Sequence, residues 1–303
     1  MPFKARTESV TLKILRSLNT RMELVEDKRK YYLSLEKGFI GELQFDSLTE
    51  LLQCNCLILN DLELDVNNSR IQLDTVIIYQ DSIVMIEVKN FEGDYCYDPE
   101  SFTTKSGLEI KNPLDQLKRS KSLFRQLCQK NGINLSIEAF VVFINPDFTL
   151  YQAPKNLPFI FPTQLHRFLE KLNSRPSNLS NSHTKFAELL VSLHKHEPNY
   201  RQISSYEYEQ LKKGITCKSC HSFSLTLPVR YKTVVCNECG FKELVDEAVL
   251  RSIEEFKLLF PDRKITTKAI HEWCQIVEPL KRIKKILLGY FNKTNDHRWT
   301  YFE

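Results

Sequence analysis

Two carboxylates and a lysine stand inside strongly apolar runs of this 303-residue chain, and that placement constrains the fold more than any other feature. Asp74 lies within QLDTVIIYQ, and Glu87 and Lys89 lie within SIVMIEVKN, two stretches rich in Val and Ile that read as strands. Residues two apart on a strand point to one face, so Glu87 and Lys89 project together while Ile86 and Val88 face the other way. The polar segment from Tyr79 to Ser82 turns the chain back between the runs, a hairpin that brings Asp74 opposite Glu87. Strands this apolar read as central ones, where an unpaired charge is expensive unless it serves a site.

The neighbouring segments supply the rest of a sheet and its helices. Residues 38–53, GFIGELQFDSLTELLQ, place Ile40, Leu43, Leu48, Leu51 and Leu52 at helical spacing, which predicts a helix starting near Gly41 with Glu42 in its first turn. CLILNDLEL adds a third strand ahead of the hairpin. Residues 113–130, PLDQLKRSKSLFRQLCQK, open on a proline and stop before Asn131-Gly132, the start and stop of a basic amphipathic helix. The run IEAFVVFI at 137–144 suits a strand buried on both faces. The order is α-β-β-β-α-β, an α/β core, and further helices are expected at 163–173 and 183–195.

Two carboxylates beside an ammonium have a use in hydrolysing a phosphodiester. Hard oxygen ligands suit Mg²⁺ or Mn²⁺, which keep several waters and bind through one or two carboxylates plus substrate phosphate. Such a cation lowers the pKa of a bound water and neutralises charge on the phosphoryl group. Lys89 suits either positioning the attacking water or stabilising the transition state. Glu42 adds a third carboxylate, Gln116 a hydrogen-bonding group at the start of the basic helix, and Lys118, Arg119 and Lys121 cations able to meet a nucleic-acid backbone.

These residues resemble a known family. GFIGELQFDSL, QLDTVIIYQDSIVMIEVKNFEGDY and NPLDQLKRS are similar to the nuclease-related domain (NERD) of the PD-(D/E)XK nuclease superfamily, over about residues 35–150. The resemblance implies a restriction-endonuclease-like core with a mixed central sheet, a divalent-metal site and a nucleic-acid substrate. By motif position it assigns Glu42, Asp74, Glu87, Lys89 and Gln116 to the site, with Asp74, Glu87 and Glu42 on the metal.

Downstream, Cys217, Cys220, Cys236 and Cys239 form two Cys-x-x-Cys pairs separated by fifteen residues. That spacing reads as a four-cysteine zinc ribbon, and a closed shell of thiolates makes the Zn²⁺ structural. Gly240 permits the left-handed backbone such knuckles favour. Residues 201–303 carry 18 Lys/Arg against 13 Asp/Glu, while the first 200 hold 24 against 25, so the basic excess lies at the C-terminal end. There, after a helix near 244–259, Thr266 can cap a short helix ending near Cys274, and Pro279 can open another with Lys281, Arg282, Lys284 and Lys285 at its start. The closing NKTNDHRWTYFE suits a small β-wing. The pattern fits either a winged-helix DNA-binding module or a helical cap on the ribbon.

The expected organisation is an N-terminal helical extension (1–37), a nuclease-like domain (38–196), a linker (197–214), the zinc ribbon (215–242) and a helical region (243–303). No run approaches the roughly 18 apolar residues of a membrane span, there is no signal peptide, and nine cysteines without one suit the cytoplasm. The expected partner is DNA, or RNA, without a membrane. The rival readings are a non-catalytic nucleic-acid binder on the same fold and a protein-interaction module.

Overall fold

The computed structural model describes every residue except 196–202, 204, 228–231, 276–279 and 297–298, with backbone alone at 295, 296 and 299. The chain runs through α1 (Val10–Arg21), α2 (Glu26–Thr49), β1 (Leu57–Val66), β2 (Ser69–Ile78), β3 (Ser82–Lys89), β4 (Gly93–Tyr97), β5 (Phe102–Thr104), α3 (Pro113–Lys130), β6 (Ser136–Phe143), β7 (Phe148–Tyr151) and β8 (Phe159–Ile160). It continues through α4 (Leu165–Asn173), α5 (Asn181–Leu193), β9 (Leu225–Thr226), β10 (Thr233–Cys236), β11 (Lys242–Leu244), α6 (Val245–Leu259), α7 (Thr267–Cys274), α8 (Leu280–Tyr290), β12 (Lys293–Asp296) and β13 (Trp299–Phe302). These elements divide into two units: Met1–Ser9 with Leu33–Pro198, and Val10–Tyr32 with Asn199–Glu303. The segment expected as an N-terminal extension is therefore shared, residues 1–9 serving unit 1 and α1 serving unit 2.

Unit 1 is built on a five-stranded sheet in the order β1-β2-β3-β6-β8. The first three strands form an antiparallel meander, while β6 runs parallel to β3 and β8 parallel to β6. A parallel partner needs a crossover, and α3 supplies it. Alternate residues feed two cores. Val76, Ile78, Met85 and Val141 pack with Leu117 and Phe124 of α3 and Phe186 of α5, whereas Ile77, Val84, Val88 and Val142 pack with Phe45 of α2 and Phe168 of α4. The mixed α-β-β-β-α-β core expected from the sequence is present, with helices on both faces. Its basic helix is bounded as expected: the Asn112 side chain accepts from Leu114 N at 2.9 Å, Pro113 takes the first turn, and Gly132 follows at φ 71°.

Two features depart from expectation. The helix expected to begin near Gly41 begins at Glu26, so Glu42 is in its middle and not its first turn. Of the expected stripe, Ile40, Leu43 and Leu51 are exposed, whereas Leu48 and, just past the helix end, Leu52 pack on the core as expected, together with Gly41 and Phe45. The charged residues between Glu26 and Lys37 hide the first turns from a search for apolar periodicity. A second sheet, β5-β4-β7, was also illegible, because strands of three to five residues carry too little alternation. Aromatic packing holds it, with Phe143 of β6 and Phe148 of β7 stacked at 4.0 Å between centroids.

In unit 2, Leu18 of α1, Phe256 of α6, Trp273 of α7 and Leu287 of α8 share one core with Val234 of β10 and Phe302 of β13. Tyr208 and Leu211, within the span expected as a linker, are buried in the same core, while 197–202 and 204 of that span lie outside the described residues. Arg21 seats α1: its guanidinium bonds Glu255 at 2.6 Å and lies 4.0 Å over the Trp273 ring. Ribbon and helices are thus a single packed body. The expected cap of α7 is present, with the Thr266 hydroxyl accepting from Ala269 N at 3.1 Å, and β12 pairs with β13 as a wing would. Pro279 lies outside the described residues.

Candidate active site and cysteine centre

The ladder between β2 and β3 ends at the pair Thr75 and Ile86, one step short of Asp74. There the Asp74 side chain replaces the backbone partner: its Oδ2 accepts from Val88 N at 2.8 Å. This fixes the carboxylate beside Glu87, both being buried. On the adjoining face Lys89 Nζ reaches Glu87 Oε1 at 2.6 Å and Gln116 Oε1 at 3.2 Å. Gln116 donates in turn to the same Glu87 oxygen. Strand parity brings Glu87 and Lys89 together, and the capped start of α3 presents Gln116 to them.

Glu42 approaches from α2, which runs close to the sheet because Gly41 has no side chain. A Cβ there would lie 2.5 Å from the Asn90 Cβ, so alanine would force the helix off. What holds Glu42 is a residue unforeseen in the sequence. Arg6 donates to Glu42 Oε2 at 2.6 Å, to both oxygens of Asp46 at 2.8 and 3.0 Å, and to the Asp74 carbonyl at 2.7 Å. Its own segment is strapped to β1, with Phe3 N on Ile58 O at 2.8 Å and Asn60 N on Lys4 O at 2.9 Å. Asp61 sits at φ 54°, breaking β1 level with Asp74, and Lys4 Nζ caps the freed carbonyls of Asn60 and Asp61 at 2.7 Å each. Thirty-six positions separate Arg6 from Glu42, and no periodicity or motif links them.

Burial, together with the charges gathered in the pocket, perturbs every member. Glu42 is pushed up to about 8 by burial and then by the charge of Asp74, against the pull of Arg6. Glu87 is pushed up to about 7 by burial and by Asp74, against Lys89. Burial raises Asp74 as well, opposed by Lys89 and the Val88 N–H. For Lys89 burial works against the ammonium, but Glu87 and Asp74 outweigh it and hold the group above the ordinary lysine range.

These shifts carry a sign. A carboxyl group whose pKa rises on folding keeps a proton that the unfolded chain releases, so its contribution to stability is present at low pH. It is lost as pH climbs from about 4.5 through the folded values near 7 and 8. A divalent cation needs the ionised forms and reverses the trend. Saturating Mg²⁺ is therefore expected to raise the melting temperature more at about pH 8.5 than at about pH 6. Calorimetry at both values checks this, and equal gains would count against a cation in this pocket.

The basic residues are placed less uniformly. Lys118 is exposed and 3.8 Å from Asp115, and Lys121 is half-buried. Arg119 lines a cleft with Gln116, Arg70 and Lys111. Lys111, another residue the sequence did not single out, acts electrostatically on Glu87. On α8, Lys281, Lys284 and Lys285 face solvent, while Arg282 is half-buried.

In unit 2 the sulfurs of Cys217, Cys220, Cys236 and Cys239 lie within 4.8 Å of one another, with Cys217–Cys239 at 3.6 Å and Cys220–Cys236 at 3.5 Å. Zn–S bonds of about 2.3 Å in a tetrahedron require sulfur separations of roughly 3.8 Å, so the donor set fits Zn²⁺. The knuckles match each other. His221 N bonds Cys217 O at 3.1 Å, and Gly240 N bonds Cys236 O at 3.0 Å. Both residues are left-handed, at φ 58° and 72°. His221 is thus a backbone element of the first knuckle. The strands β11-β10-β9 complete a ribbon.

The acid-and-lysine cluster stands on β2 and β3, inner strands of a mixed, helix-flanked sheet. Residues 37–144 match the family model described as nuclease-related domain, NERD, so the chain carries that domain. No curated protein and no solved structure matched the chain. Among the described residues no helix is long and apolar enough to cross a membrane.

Proposed function

We propose that the chain is a divalent-metal-dependent deoxyribonuclease, an endonuclease or nickase, whose pocket of Asp74, Glu87, Lys89 and Gln116 hydrolyses phosphodiester bonds. The observation that carries this reading is the shared hydrogen bonding of Glu87, Lys89 and Gln116 beside the buried Asp74 carboxylate. Mg²⁺ or Mn²⁺ would be held by Asp74 and Glu87, with Glu42 as the third carboxylate on the pocket, and would supply an acidified water and charge neutralisation at the phosphate. Lys89 holds a fixed positive charge where negative charge develops, and Gln116 fixes the Glu87 oxygen they share. Arg119 and Lys118 on α3, and Lys281, Arg282, Lys284 and Lys285 on α8, are proposed to meet the DNA backbone. Zn²⁺ on the four cysteines is structural. Nine cysteines with no disulfide among them suit a cytoplasmic setting.

The test is nicking of supercoiled plasmid in Mg²⁺ or Mn²⁺. Cleavage is expected to vanish in EDTA and in Asp74→Ala, which removes both a cation ligand and the acceptor of Val88 N–H. Salt-dependent DNA binding without cleavage in any divalent metal would establish the non-catalytic binder instead. Absence of any salt-dependent DNA affinity is the result the protein-interaction reading expects.

A further inference from the structure

We propose that the pocket takes a single divalent cation, between Asp74 and Glu87, because the Arg6 guanidinium takes the place beside Glu42 that a second cation would need. This rests on the metal-dependent reading above and deepens it. Two-metal sites set their ions about 3.5–4 Å apart, with a carboxylate shared between them and further carboxylates on each outer side. Asp74 acts electrostatically on both Glu87 and Glu42, which makes it the carboxylate that two ions would have to share. The Glu42 side is filled. Arg6 bonds Glu42 Oε2 at 2.6 Å and the Asp74 carbonyl at 2.7 Å, so its charge lies between those residues.

Arg6 is no mobile surface side chain. It is 2% exposed, and four hydrogen bonds of 2.6 to 3.0 Å engage its guanidinium, two of them a fork onto Asp46. Breaking a fork of that kind strands a buried charge. The strap of Phe3 and Lys4 on β1 anchors the backbone on which Arg6 stands. Arg6 is accordingly a positioning residue: it docks α2 on β2 and sets the cation count.

Mn²⁺ titration of the zinc-loaded 303-residue chain tests this, by equilibrium dialysis with electron paramagnetic resonance, and plasmid cleavage run in parallel. The wild-type protein is expected to bind one Mn²⁺ with the six-line spectrum of an isolated ion. Arg6→Gln is expected to take up a second and to show exchange coupling between the two. Two coupled ions in the wild type, or a count of one in folded Arg6→Gln, would overturn the inference. Should Arg6→Gln fail to fold by circular dichroism, Glu42→Gln decides: it keeps one Mn²⁺ if Glu42 is committed to Arg6, and a count of zero refutes that. Two ions with cleavage would sink the single-cation inference alone, whereas no Mn²⁺ and no cleavage would sink the nuclease reading with it.

Discussion

Lys89→Ala is expected to slow plasmid cleavage by roughly a thousandfold, the scale on which a fixed donor aimed at developing charge acts, while leaving Mn²⁺ binding in place. The separation follows from what Lys89 touches. Its ammonium contacts Glu87 and Gln116, and neither bond is needed to keep Asp74 on Val88 N. Stripping one partner from a buried ion pair often costs about 3–5 kcal/mol. Glu87 has two escapes from that penalty. It is already pushed up to about 7 and can take a proton, and where Mn²⁺ is present the cation replaces the ammonium as counter-charge. The melting temperature in saturating Mn²⁺ should therefore change little, and Mn²⁺ affinity should hold or tighten as a competing positive charge leaves. Single-turnover cleavage at saturating Mn²⁺ reads the rate, and dialysis reads the affinity. A Lys89→Ala protein that cuts within about tenfold of wild type would exclude Lys89 from the chemistry. Loss of Mn²⁺ binding would make it a structural clamp on Glu87.

The sequence carried the parts of this site whose geometry is local. Glu87 and Lys89 share a face because strands have a period of two, and Asp74 follows from a short hairpin, so all three were readable within one stretch of sixteen residues. Gln116 was readable because Asn112 and Pro113 fix where its helix begins. Glu42 was found on the right helix but at the wrong point of it, since the helix extends through a charged stretch back to Glu26. Arg6 and Lys4 escaped altogether. Their partners are 36 to 68 positions away, and the strap that brings them there is one bridge at a sheet edge, without a patterned strand. The same limit applies at the C-terminal end. The cap at Thr266, the helix to Cys274 and the wing were visible as local signals, but the merging of α1, ribbon and helices into one core depends on contacts such as Arg21–Glu255, 234 positions apart.

That merged core makes the zinc consequential well beyond its ribbon. Cys217 and Cys236 are buried, and β10, which ends on Cys236, contributes Val234 to the core of Phe256 and Trp273. Without a cation, four sulfurs within 4.8 Å repel once ionised and cannot fix two knuckles. Zn²⁺ binding is worth about 10–16 kcal/mol in small zinc-finger peptides, as large as the entire folding free energy of many domains. Cys236→Ser, or chelation of the metal, is therefore expected to unfold unit 2 and not merely loosen the hairpin. Tryptophan emission reads this locally, because both tryptophans, Trp273 and Trp299, fall in unit 2 and Trp273 is fully buried. The wild-type protein should contain one zinc per chain and emit at the short wavelengths of a buried indole. Cys236→Ser should lose the zinc, shift its emission to the red, and lose the portion of its cooperative melt that tryptophan reports. Restoring Zn²⁺ to the chelated wild type should bring the blue-shifted emission back, and should fail to do so for Cys236→Ser. Buried emission with an unchanged melt in the zinc-free protein would mean that Leu18, Phe256, Trp273 and Leu287 hold unit 2 together on their own, with the ribbon an appendage to a self-sufficient helical core.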